Sequence, residues 1–150
     1  MRLGAMEVVM LRTIGAIVAG LLVVGLVVMG LQQVSASMHP IPEGLDPFDP
    51  DQADAFREHM AAMPALAWFI AFASELIGAF AGAFVAGRIA LGARWVCGVI
   101  VGAALLGSVA NWTAFEHPTW FIVGQLAGYP LVLMGVWALL GRARDVEPSS

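Results

Sequence analysis

The sequence predicts an all-α integral membrane protein: a bundle of four transmembrane helices, with a short amphipathic helix in the outer loop between the first two. Three observations carry this. Apolar residues make up 60% of the 150 residues and charged residues only 12%, about half the charge of a soluble domain. Thr13 to Leu31 is nineteen residues without a charge and Trp95 to Phe115 is twenty-one. At ~1.5 Å per residue, either run crosses a hydrocarbon layer of ~30 Å. Finally, the seven cations are all arginines, and six of them fall on one side of the implied spans.

Read as one membrane domain over residues 1–150, the chain divides into a first span over about 11–34, an outer loop with a short helix over 38–62, spans over 64–87, 95–112 and 119–140, and a tail over 141–150. Arg2 and Arg12 precede the first span, Arg88 and Arg94 flank the second turn, and Arg142 and Arg144 follow the fourth span. Arg57 alone lies opposite. The positive-inside bias puts both termini and the 88–94 turn in the cytoplasm, with the Pro-rich loop and the "AFEHPT" turn outside. Trp68, Trp112 and Trp120 then fall near the outer boundary and Trp95 near the inner one, as an aromatic belt. "VSA" (Val34 to Ala36) resembles a signal-peptide cleavage site, but the apolar run before it exceeds the ~7–15 residues of a signal h-region. The first span is therefore read as retained.

The outer loop holds "MHPIPEGLDPFDP" (Met38 to Pro50), with four of the eight prolines. Pro40, Pro42 and Pro47 fix φ and exclude helix, so 39–47 is expected to be extended. "DPDQ" reads as a helix start, with Asp49 as N-cap, Pro50 at N1 and Gln52 at N3, a relative of the capping box. A helix from Pro50 to about Ala62 would turn Phe56, Met60 and Met63 inward.

In lipid, close backbone approach holds helices together, so small residues four apart mark contact faces. Gly78 and Gly82, Gly98 and Gly102, and Gly124 and Gly128 are the helix-packing pairs. The short turn after the second span should let the Gly82/Gly87 and Gly98/Gly102 faces meet. In the first span Gly15, Gly20, Gly25 and Gly30 recur every five residues and spiral around the helix, which predicts a loosely packed partner. "WFIAFASELIGAF" (Trp68 to Phe80) and "WFIVGQLAGYP" (Trp120 to Pro130) share W-F-I and then E/Q-L-x-G, a pattern that either duplication or chance in a Gly- and Leu-rich chain would produce.

Glu75 is the one acid well inside a span, where a charge costs at least ~2.5–3.5 kcal/mol. It is either a functional carboxyl or a protonated group acting as structural glue. Gln125 and Tyr129 lie at similar depth in the fourth span, so Glu75, Gln125 and Tyr129 form the candidate intramembrane site. Pro130 frees the carbonyl of Leu126 as a further acceptor. His39, Glu116 and His117 form a candidate outer-rim polar cluster, although their spacing matches no metal-ligand motif and no metal is assigned. Cys97 lacks any partner cysteine and reads as a small buried apolar residue. The loop acids Glu43, Asp46, Asp49, Asp51, Asp54 and Glu58 read as a solvated face. No nucleophile arrangement, phosphate loop or dinucleotide fingerprint is present, so no catalytic residue, cofactor or nucleic-acid partner is implied.

"HPIPEGLDPFDP" and "EHPTWF" together resemble a family of small uncharacterised bacterial proteins with four membrane helices. These carry a "PPxGLDPxDP"-type segment after the first helix and an "HPxWF"-type segment before the last. The likeness covers about Leu11 to Leu140, with Ile41 interrupting the proline run. It implies the same topology in a bacterial plasma membrane and transfers no activity. The function expected is that of a non-enzymatic membrane protein, an accessory or partner-binding subunit contacting membrane lipid and another subunit or a second copy. The alternatives are a small transporter or channel component using Glu75, and a membrane enzyme at the outer rim.

Overall fold

The protein is all-helical in a computed structural model that describes residues 4–145, with no strand among them. Four helices are long and apolar enough to cross a membrane: α1 (Ala5–Met38), α3 (Ala65–Ile89), α4 (Arg94–Ala114) and α5 (Thr119–Asp145). Between α1 and α3 a 3₁₀ turn (Pro50–Gln52) leads into the short helix α2 (Ala53–Ala61). The helices outrun the predicted spans at several ends, most at α1 and α5. Arg2 and the tail residues 146–150 lie outside the described residues.

The long helix α3 is the hub. It packs on α1, α4 and α5, whereas α1 and α5 do not touch. Its small residues dictate this, because Ala79, Ala83 and Ala86 are fully buried and let three neighbours approach one axis. The expectation that the first span is loosely held is overturned: α1 makes the most extensive contact in the molecule, against α3. Gly78 and Gly82 form the holes and Val28 and Val24 of α1 the knobs. A Cβ added at Gly78 would lie 2.6 Å from Val28, and one at Gly82 would lie 2.5 Å from the Gly20 carbonyl. Of the spiralling glycines in α1, Gly20 alone lies in the interface, since Gly15, Gly25 and Gly30 have nothing within 4 Å of an added Cβ. A knob needs one small residue opposite it, not a matching glycine row.

Gly98 and Gly102 also correct an expectation. An added Cβ at either meets nothing within 4 Å, so this face of α4 does not meet Gly82. Gly124 and Gly128 of α5 do lie in a contact, but they receive side chains, Phe72 and Leu76 of α3, rather than a facing backbone. Gly87 seats against Cys97 and Leu140. Cys97 is fully buried in the apolar core with Val96, Ile100 and Val136.

The turn from α3 to α4 is a Schellman motif. Gly92 N–H donates to the Gly87 carbonyl at 2.6 Å and Leu91 N–H to the Arg88 carbonyl at 3.2 Å, with Leu91 at φ 52 and Gly92 at φ 75. These bonds satisfy carbonyls left open at the helix end. Past the turn, the Trp137 indole, unremarked in the sequence, donates to the Arg94 carbonyl at 3.2 Å and joins α5 to α4.

The outer loop folds more tightly than its prolines suggested. Rather than extended chain, Pro42 to Leu45 is a turn closed by Leu45 N–H to the Pro42 carbonyl at 3.1 Å, with Gly44 at φ 83. Asp49 caps the 3₁₀ turn by accepting from Asp51 N–H at 3.0 Å. Gln52 departs from a capping box. Its amide binds the Asp49 carboxylate at 2.9 Å, and its oxygen accepts from Asp46 N–H at 3.1 Å. The loop is fastened to the bundle by stacking of His39 on His59 at 4.0 Å, by Phe56 on Phe115 at 5.5 Å and by Arg57 on Glu116 at 2.8 Å. "VSA" lies inside α1, where the buried Ser35 hydroxyl donates to the Ala67 carbonyl of α3 at 2.8 Å.

Candidate functional site

Glu75 lies ten residues into α3, roughly 15 Å along the axis at 1.5 Å per residue. Its residue is 8% exposed and faces the bundle interior. Two residues named with it from sequence converge there from α5. Gln125 Nε2 donates to Glu75 Oε2 at 2.8 Å, and Tyr129 Oη lies 3.4 Å from the same oxygen. A third partner was missed: Ser108 of α4 donates to that oxygen and lies 2.5 Å from Tyr129 Oη. Ser108 was the one hydroxyl within the fourteen uncharged residues from Val96 to Val109, and that isolation was the available signal. Among the described residues no hydrogen bond joins Glu75 to the Leu126 carbonyl freed by Pro130, and Leu126 and Pro130 are both exposed.

The network has a defined polarity. Trp112 Nε1 donates to Gln125 Oε1 at 3.1 Å. An indole N–H can only donate, so the amide oxygen faces Trp112 and the amide nitrogen faces Glu75. Trp112 is thus turned into the bundle rather than into an aromatic belt. Trp68 is also turned in, 8% exposed against Phe121 at 5.6 Å, while Trp120 and Trp95 remain exposed at 48% and 59%. Glu75 Oε2 therefore accepts from its surroundings. Among the described residues no hydrogen bond reaches Oε1.

Two cavities meet at this carboxyl. One, of about 420 Å³, lies between α1 and α4; Leu21 and Met29, at 42% and 65% exposure, stand at its rim, and Glu75, Ser108 and Tyr129 lie at its end. Gly25 of α1 and Gly107 of α4 line its walls and leave it wide. The other, of about 270 Å³, sits under α2, walled by Phe56, Met60, Trp68 and Phe121, and also reaches Glu75. Gln32, Glu75 and Asn111 line both. On the far side of Glu75 the helices close, with Ala79, Ala83, Val96, Ile100 and Val136 at 0% exposure.

His39 and His117 line the outer cavity together, but among the described residues no hydrogen bond joins one outer-rim candidate to another. His39 Nε2 bonds the His59 carbonyl at 2.8 Å, His117 bonds the Phe115 carbonyl at 2.8 Å and Asn111 at 3.3 Å, and Glu116 pairs with Arg57. No group of three His, Cys, Asp or Glu among the described residues could hold a metal ion. His39 and Glu116 instead fasten the outer loop, while His117 holds the turn between α4 and α5. His59, outside the predicted cluster, stacks on His39, and burial followed by the nearby His39 charge holds its imidazole below the ordinary value. Arg57 is shifted the other way, raised first by Glu116 and then by Asp54. Several loop acids serve local structure: Asp49 as cap, Asp46 accepting from Phe48 N–H at 2.9 Å, and Asp54 binding Arg57 at 2.6 Å.

The arrangement sets the Ser108 hydroxyl and the Gln125 amide on one oxygen of Glu75. It offers a buried carboxyl, polarised on one oxygen and open on the other, at the junction of two cavities. Comparison of the chain with protein-family models, with curated proteins and with solved structures found no match to any of them.

Proposed function

We propose that this protein is a non-enzymatic membrane protein, an accessory or binding subunit that holds a membrane-borne ligand at the Glu75 site. The observation that carries this reading is the free Oε1 of a buried carboxyl where two cavities meet. Oε1 is not closed off within the bundle, since Glu75 lines both cavities, and a group there can reach it. The 420 Å³ cleft falls in the ~300–1,000 Å³ range of small-molecule sites, and its exposed rim faces the region where lipid would lie. The small transporter is the second reading, favoured by the depth of the carboxyl. It requires a further conformation, because the core beyond Glu75 is closed on that side.

The setting proposed is a bacterial plasma membrane, with both termini cytoplasmic and α2 outside. Arg12, Arg88, Arg94 and Arg142 stand at one end of the bundle and the acidic loop at the other, as the positive-inside rule would have it. Reporter tags at each terminus and in the 39–62 loop test this sidedness.

For the binding role, the chain is extracted from its native membrane in mild detergent and weighed intact. A bound small amphiphile is expected on the wild type and not on Gly107→Leu, whose side chain would fill the cleft. Equal retention by both, or no adduct on either, would refute the role.

A further inference from the structure

The sign and shape of the cleft narrow its ligand further, resting on the binding role proposed above. No arginine lines either cavity, and the histidines that could carry positive charge, His39, His59 and His117, line only the outer one, so an anionic headgroup in the cleft between α1 and α4 would meet a carboxyl with no cation beside it. Neutral groups already saturate Oε2: Gln125, Ser108 and Tyr129 all converge there. What remains is Oε1, without a protein partner among the described residues, on an acid that lines both cavities. An organic cation at Oε1 would give that acid a counter-charge that no arginine of either lining supplies.

The walls and the approach match this sign. Apart from Gln32, Asn111 and the polar groups around Glu75, the cleft is bounded by aliphatic side chains and glycines of α1 and α4, and the adjoining outer cavity is lined by aromatic rings, Trp68 and Phe121 among them, a ring type that attracts cations through its quadrupole. Six carboxylates stand against one arginine in 39–62, a local field that raises cation concentration at the outer mouth. We infer that the Glu75 site takes a lipophilic monovalent organic cation, with its charged centre at Oε1 and its apolar substituents in the cleft between α1 and α4.

The test uses the full chain in nanodiscs of zwitterionic lipid, with equilibrium dialysis corrected for empty discs. The probes are tetraphenylphosphonium, tetraphenylborate, which has the same shape and opposite charge, and the neutral alcohol hexadecanol. Saturable binding of one phosphonium per chain is expected, without saturable binding of the borate. Glu75→Gln should weaken it tenfold or more, Glu75→Asp should restore part of it, and Gly107→Leu should abolish it. If Glu75→Gln does not fold, the phosphonium-to-borate ratio on the wild type decides alone. Equal binding of borate, or an unchanged Glu75→Gln, overturns the assignment. Hexadecanol binding that Gly107→Leu removes, with no phosphonium binding, overturns the cation and leaves the binding role standing. No saturable binding of any probe overturns both.

Discussion

Adding one methyl group at Gly82 should loosen the molecule, whereas the same change at Gly98 should tighten it. At Gly82 the new Cβ would fall onto the Val24 side chain and 2.5 Å from the Gly20 carbonyl oxygen. That is about 1 Å inside comfortable non-bonded separation. Val24 can change rotamer, but the carbonyl belongs to the α1 backbone, so α1 and α3 must move apart along their main interface. Overpacking of this kind costs ~1–3 kcal/mol, against a helix-propensity gain of ~0.5–1 kcal/mol for replacing glycine by alanine. The net expectation is a loss of ~1–2 kcal/mol for Gly82→Ala. At Gly98 nothing lies within 4 Å of the added atom, so only the gain of ~0.5–1 kcal/mol remains. Reversible unfolding in mixed detergent micelles, followed by tryptophan fluorescence, reads both. Gly82→Ala equal to or more stable than Gly98→Ala would refute the knob-and-hole assignment of the α1–α3 interface.

Three further outcomes follow. Gln125→Leu strips partners from both the Trp112 indole and Glu75, leaving buried polar groups unmet at ~1–3 kcal/mol each; the same micelle titration should show a loss of about 2 kcal/mol, and a neutral result would break the proposed polarity of the network. Asp49→Ala removes the cap on the 3₁₀ turn, so amides of 50–61 should exchange faster by a factor matching ~1 kcal/mol, with those of α3 and α4 unchanged. His59 should titrate by NMR with a midpoint below its ordinary 6.5, because burial and then the His39 charge both oppose protonation. The unfolded chain binds more protons in that window, so outer-loop stability is full above 6.5, falls as pH drops through it, and levels off below the folded midpoint. A midpoint above 6.5 would contradict the stacked pair.

The helices were legible because length and apolarity alone decide whether a segment can cross lipid, and nothing tertiary overrides that. The partnership of Glu75 with Gln125 and Tyr129 was legible for a related reason. Counting residues inward from each helix end fixes depth, and an acid at depth needs partners there. Ser108 sits at the same depth on α4, but a lone serine in an apolar helix carries no comparable penalty, so nothing in the pattern singled it out. The glycine pairs misled in a specific way. Four-residue spacing says that a face permits close approach, not which neighbour arrives, so Gly78 and Gly82 received valines of α1 while Gly98 and Gly102 received nothing. His39 and His117 line one cavity, but each bonds a backbone carbonyl there, which residue type and side of the bundle do not reveal.

The dry small-residue plug beyond Glu75 has a consequence for the host cell. A charge parked halfway through an insulating film is safe only if no water column continues to the opposite side. With alanines and branched aliphatics filling that stretch, a cell could carry many copies without short-circuiting its ion gradients, and any leak measured from a variant of Ala79 or Ala83 would report a breach of this insulation rather than the ligand chemistry.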